Sequence, residues 1–149
     1  MPRFRYRMQN ILTLDEKLED QQKASFAMAN SRLQDEQKAL QDLLLKKASY
    51  EQRVKQHAMG EVDIKEIQRC KEGVRVTDIL IRSQMIEIRK AQRLVDVERT
   101  KLNEAMQARK TQEKLKEKAF EKFKEEMAAE ENMVTDELIS FKYGTGGGQ

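Results

Sequence analysis

His57 and Cys70 are the only histidine and cysteine in the 149-residue chain, and they set the limit of its chemistry. A structural zinc site draws on four ligands, so one imidazole and one thiol fall short. Nucleophilic catalysis would need His57 beside a held serine or cysteine in a sheltered pocket. A phosphate cradle needs a glycine-rich turn that opens into a helix N-terminus. The glycine-rich "GTGGGQ" occupies 144–149 with no helix after it, and reads as a disordered, flexible tail. A single cysteine permits no intramolecular disulfide, in keeping with a reducing cytoplasm. The expectation is a chain with no catalytic residue, no metal and no cofactor, which acts by binding rather than as an enzyme.

Charge narrows the partners. Lys and Arg number 29 against 26 Asp and Glu, a net +3 spread along the chain and a weak attraction for a polyanion. Lys110, Lys114, Lys118 and Lys122 form one ridge at four-residue spacing, and Glu113, Glu117, Glu121 and Glu125 form another. Opposite charges three apart then support a helix while like charges four apart oppose it, which is the pattern of a solvated face. Zipper-type DNA readers carry a dense basic helix ahead of their heptads, whereas here three arginines give way to "LDEKLED". No apolar run reaches the length of a membrane span or a signal-peptide core.

The elements that must position any binding surface are helices. Glu, Lys, Gln, Leu, Ala, Met and Arg dominate, no run alternates with period two, and the one proline is Pro2. Between residues 3 and 143 the only glycines are Gly60 and Gly73, so the chain has one window in which to turn. This predicts helix 1 over about 8–58, a connector over about 59–74 with a short helix at 63–72, and helix 2 over about 75–141. Residues 1–143 would then be a single domain. Asp63 and Glu66 in "DIKE" have capping-box spacing, so Asp63 is placed to accept from N–H groups at a helix start. "TLDE" at Thr13 to Glu16 has the same spacing and leaves open a later start for helix 1.

Val74, Ile81, Ile88, Val95 and Leu102 put one aliphatic residue at every seventh position, the mark of a coiled-coil seam. The apolar character lapses at Arg109 and Lys116 and resumes in another frame with Phe120, Met127, Val134 and Phe141. Helix 1 shows Ile11, Leu14, Leu18 and Met28 in a first frame. It then steps through Ser25, Ala29 and Leu33, two fours in succession and so a stutter, before Leu40, Leu43, Tyr50 and Val54. The fold class predicted is all-α: a long antiparallel two-helix coiled-coil hairpin with a short helical connector, monomeric when free. Ser25, Glu36 and Lys47 fall at seam-like positions, each displacing a buried aliphatic worth roughly 1.5 to 3 kcal/mol. Modest stability with fraying ends follows.

If residue 57 faces residue 74, residue 8 faces about residue 123 and the end of helix 2 projects beyond helix 1. That overhang carries Met127, Val134 and Phe141 among Glu125, Glu126, Glu130, Glu131, Asp136 and Glu137. Close by in this register lie Arg3, Arg5 and Arg7 of "PRFRYR". Two readings stand: the two charged ends neutralise each other, at little gain per exposed pair, or the open end inserts a composite acidic, basic and aromatic tip into a protein socket.

"FRYRMQNILTLDEKLED", with Phe4, Tyr6, Met8, Ile11, Leu12 and Leu14, resembles the opening of the FliJ family, coiled-coil components of the bacterial flagellar protein export apparatus. The resemblance in length, single hairpin and polar make-up covers the whole chain, and the motif itself covers the first dozen or so residues. It implies a non-enzymatic protein like the γ-type stalk of rotary ATPases, whose terminal end enters the hexameric export ATPase, FliI, and promotes its assembly and activity. It further implies contact with the export gate, FlhA, escort of export chaperones, and a place at the cytoplasmic face of the inner membrane. A general coiled-coil scaffold, or a stalk of a related virulence secretion system, is the alternative.

Residue by residue, the match carries Phe4, Tyr6, Met8 and Ile11 to an ATPase-facing end, together with Arg3, Arg5 and Arg7 beside them. The expected register adds Phe141 and its neighbours Val134 and Leu138. The gate-facing surface implied by the family lies nearer the loop, with Leu45, Tyr50, Ile79 and Ile86 as candidates. Ile79 and Ile86 stand two positions before Ile81 and Ile88, about 200 degrees round an ideal helix, and should point away from helix 1. Leu45 is displaced in the same way. Alternatively Val62, Ile64 and Ile67 fold back and cover this patch.

Overall fold

The computed structural model describes residues 2–60 and 63–146. They form two helices, α1 (Gln9–Ala58) and α2 (Ile64–Gly146), and no strand among the described residues. The helices pack against each other as a hairpin. By contacts the described residues fall into two units, one of 2–19 with 104–146 and one of 20–60 with 63–103.

The turn is shorter than expected. Lys55 and His57 sit in the last turn of α1, where cations favour the exposed carbonyls. Gly60 follows with φ at 110°, a left-handed conformation that costs glycine nothing. Asp63 then caps α2, its carboxylate accepting from the Glu66 N–H at 3.2 Å, so "DIKE" starts a helix as its spacing suggests. That helix does not stop at residue 72. With the cap in place and Gly73 in ordinary helical geometry, the expected connector helix is the first turns of α2. "TLDE" caps nothing, because α1 is already under way at Gln9. Of the tail expected at 144–149, residues 144–146 continue α2 and 147–149 lie outside the described residues.

In the 20–103 unit the shielded positions of α1 recur at alternating steps of four and three. They are Gln22, Phe26, Ala29, Leu33, Glu36, Leu40, Leu43, Lys47, Tyr50, Val54 and His57. On α2 they are Ile67, Cys70, Val74, Thr77, Ile81, Gln84, Ile88, Ala91, Val95, Glu98 and Leu102. The best-buried cluster joins Ala29 and Leu33 to Ala91 and Val95, with Phe26 and Ile88 against it. Polar residues on this seam meet across it. Gln22 donates to Glu98, Gln84 donates to the Glu36 carboxylate and to its carbonyl at 2.9 Å, and Lys47 pairs with Asp78 at 2.8 Å. That hydrogen bond, with the attraction of Asp78, raises the Lys47 pKa. Tyr50 lies against Gly73, where a Cβ would come within 2.8 Å of its ring.

In the other unit the same rhythm runs through Leu12, Asp15 and Glu19 on α1, and through Ala105, Arg109, Gln112, Lys116, Ala119 and Phe123 on α2. Arg109 bonds the buried Glu19 across the seam and Glu113 on its own helix at 2.9 Å; these two hydrogen bonds raise its pKa. Lys116 donates to Gln9 at 2.8 Å.

Two expectations are corrected. α1 has no stutter: Ile11, Leu14, Leu18 and Met28 are 42, 55, 46 and 74% exposed, and the seam runs through Leu12, Glu19 and Phe26 instead. Arg109 and Lys116 are seam residues, not a break in it, and Phe123 continues their frame where Phe120 was expected. In both places polar side chains enter the seam in pairs, Glu19 buried and Arg109 and Lys116 half-buried, and the apolar pattern that suggested another frame lies on the flank. The register moves with the shorter turn. Tyr50 faces Gly73 where the expected pairing put Ile81, and Gln9 faces Lys116 where it put Lys122.

Leu33→Ala should therefore cost about 2 to 4 kcal/mol in chemical denaturation. Leu14→Ala should cost less than about 0.5 kcal/mol. Near-equal costs would restore the stuttered frame. Gly73→Ala and Tyr50→Ala should be non-additive by about 1 kcal/mol or more, since the new methyl group collides with the Tyr50 ring.

Candidate partner-binding surfaces

In the unit of 2–19 with 104–146, α1 is preceded by a non-helical strap. Its residues alternate: Phe4 and Tyr6 are half-buried against α2, while Arg3, Arg5 and Arg7 are exposed. The Phe4 ring meets Phe120 edge-on at 5.1 Å and Phe123 at 5.4 Å. The Tyr6 hydroxyl donates to Gln112 at 2.8 Å. Met8 and Ile11, which follow, are exposed. No ion pair joins the three arginines to any carboxylate among the described residues, so the two ends do not neutralise each other by direct contact.

From Ala128 to Gly144 every side chain of α2 is exposed. Val134, Leu138 and Phe141 lie on one face at steps of four and three, 54, 64 and 72% exposed, with Glu130, Glu131, Asp136 and Glu137 around them. Met133, Ile139 and Tyr143, which the sequence reading passed over, add to the uncovered surface. The expected composite tip is thus two features. The strap is anchored at Phe120 and Phe123, and Val134 begins about 16 Å further along α2 at 1.5 Å per residue.

In the 20–103 unit, Ile79 and Ile86 are exposed on the side of α2 away from its seam, where Val76 and Leu80 extend the apolar surface. Ile64 and Ile67 belong to the same helix and do not fold back over them, and Val62 lies outside the described residues. Leu45 is 64% exposed on the outer side of α1. In a two-stranded coiled coil the outer sides of the two helices look in opposite directions, so Leu45 does not share a patch with Ile79 and Ile86. Tyr50 is on the seam, half-buried against Gly73.

Cys70 is buried and His57 half-buried, and no group of residues that could hold a metal occurs among the described residues. No helix among them is long and apolar enough to cross a membrane.

In a comparison with known families, the family model described as "Flagellar FliJ protein" aligns with residues 4–148. No curated protein and no solved structure matches the chain.

The strap contact predicts that Phe4→Ala releases residues 2–8. The aromatic contact is worth about 0.5 to 1.5 kcal/mol. Hydrogen exchange should accelerate in the first turn of α1, while the Ala29, Leu33, Ala91 and Val95 region keeps its protection. Unchanged exchange at both places would mean that the strap is not held by Phe4.

Proposed function

The chain belongs to the flagellar FliJ family, which makes it a component of the flagellar protein export apparatus, and from that premise we propose that it serves as a central stalk of the export ATPase. The observation that carries this reading is the bare end of α2. A helix whose side chains are all exposed over residues 128–144, apolar on one face and acidic around it, leaves surface that a monomer gains nothing by exposing. A socket formed by a ring of subunits would cover it, in the manner of a γ-type stalk. Val134, Leu138 and Phe141 are the anchors, with Arg3 to Arg7 of the strap, Met8 and Ile11 as a second, separate contact. The chain contributes no reacting group. It acts by binding FliI, promoting assembly and turnover of the hexamer.

The α2 face of Val76, Ile79, Leu80 and Ile86 is the surface for the export gate, FlhA. It gathers four exposed apolar residues on one helix. Leu45, on the opposite side, fits a separate contact such as an export chaperone. This reading places the protein in the cytoplasm, against the inner face of the membrane that holds the gate.

ATP turnover by the purified export ATPase, titrated with this chain, tests the stalk. Wild-type protein should stimulate turnover, and Leu138→Ser with Phe141→Ser should abolish the stimulation without lowering helix content. Equal stimulation by the double variant would remove the bare end of α2 from the mechanism. Ile79→Ser with Ile86→Ser should weaken binding to the cytoplasmic part of FlhA by about tenfold or more and leave ATPase stimulation intact, as expected for truncation of interface anchors. Unaltered FlhA binding would exclude that face.

A further inference from the structure

We propose that the cleft beside the strap, in the unit of 2–19 with 104–146, docks a short basic segment of a partner protein through an aromatic residue flanked by arginine or lysine. The cleft has a volume of about 500 Å³. Phe4, Leu12 and Phe120 give it an apolar floor, and Glu16, Glu113 and Glu117 stand around it. Lys116 also lines it, but its ammonium is engaged by Gln9 at 2.8 Å. Glu113 is bonded to Arg109. Glu16 and Glu117 form no hydrogen bond or ion pair among the described residues, so two carboxylates remain available beside uncovered aromatic surface.

Phe120 shows what the cleft accepts. Phe120 is 40% exposed, yet it already meets the Phe4 ring at 5.1 Å with an interplanar angle of 60°, and the ammonium of Lys124 lies 4.6 Å from its centroid. The chain thus places a second aromatic ring and a cation against the same ring, two kinds of group that associate favourably with a π-system. The strap supplies both in one segment: Phe4 is held on the floor while its neighbours Arg3 and Arg5 stay exposed and unpaired. A partner segment of like composition would set its own ring on the open part of Phe120 and its cations against Glu16 and Glu117. The strap of a second copy has this chemistry too, but it would first have to leave its own Phe120 and Phe123. A partner with a free segment meets no such cost.

The test uses the full-length chain and a fluorescent octapeptide of the strap sequence, PRFRYRMQ, followed by anisotropy. Saturable binding is expected. It should fall roughly three- to tenfold in Glu16→Gln with Glu117→Gln, the range for two exposed ion pairs. Both residues are exposed and unpartnered, so the denaturation midpoint of the variant should not move. A peptide with serine in place of its phenylalanine should bind more weakly still. The proposal is overturned by absence of saturable binding, by equal binding to the double variant, or by equal binding of the serine peptide. It is also overturned if the chain sediments as a dimer that excludes the peptide, which would give the cleft to a second copy. No ATPase or gate protein is present in the assay, so its outcome is separate from that of the stalk reading.

Discussion

Two helices that meet only each other can shelter one narrow seam, with side chains entering it at alternating steps of three and four. Everything else in this molecule depends on how that seam is filled. It is not filled with aliphatic residues alone. Glu19 meets Arg109, Gln22 meets Glu98, Glu36 meets Gln84 and Lys47 meets Asp78, and no buried side-chain polar atom among the described residues lacks a partner. A shift of either helix by a heptad would keep an apolar stripe roughly in place but would bury these groups without their partners, at about 1 to 3 kcal/mol for each. Affinity between the helices comes from the cluster around Leu33 and Val95, and the polar pairs select one register. The pairs are weak as sources of stability and strong as a filter against wrong alignments.

Because the seam takes so few residues, much of the remaining apolar surface lies outside it. Ile11, Leu14, Leu18, Ile79, Ile86, Val134, Leu138 and Phe141 are all exposed. A globular domain would have folded them inward, but one turn and two helices offer nowhere to put them. The stalk proposed above would use this: its contact surfaces are carried on stiff helices at places that the register has already determined. The strap extends the same economy to the N-terminus, where Phe4 and Tyr6 hold seven non-helical residues in place and leave the arginines between them outward.

The helices and the place of the turn were legible because each rests on a local rule. Few glycines and one proline leave little but helix, and Asp63 with Glu66 is a helix start that can be read three residues at a time. The family was legible from "FRYRMQNILTLDEKLED". The seam was legible only where it is aliphatic, from Val74 to Leu102. It was misread in the unit of 2–19 with 104–146 because buried Glu19 and half-buried Arg109 and Lys116 look like surface residues until their partners are known, while Ile11, Leu14 and Leu18 look like core. Register is a pairwise property of this kind, and the turn length on which the expected register rested was too long. The anchoring of the strap on Phe120 and Phe123 had no local signal, although the alternation of arginine with Phe4 and Tyr6 hinted at a segment with two sides. The exposure of Ile79 and Ile86 followed correctly from their offset to Ile81 and Ile88, whereas grouping them with Leu45 required knowing which way each helix faces.

Disulfide trapping of the seam tests this account most directly. In a Cys70→Ala background, one variant would carry Glu36→Cys with Gln84→Cys, residues that face each other here. A second would carry Glu36→Cys with Val95→Cys, the pairing of the longer-turn register. After mild oxidation at low protein concentration, the first should form an intramolecular disulfide and the second should stay reduced. Trapping of the second pair, or bonds only between chains, would contradict both the register and the polar pairs that are held to select it.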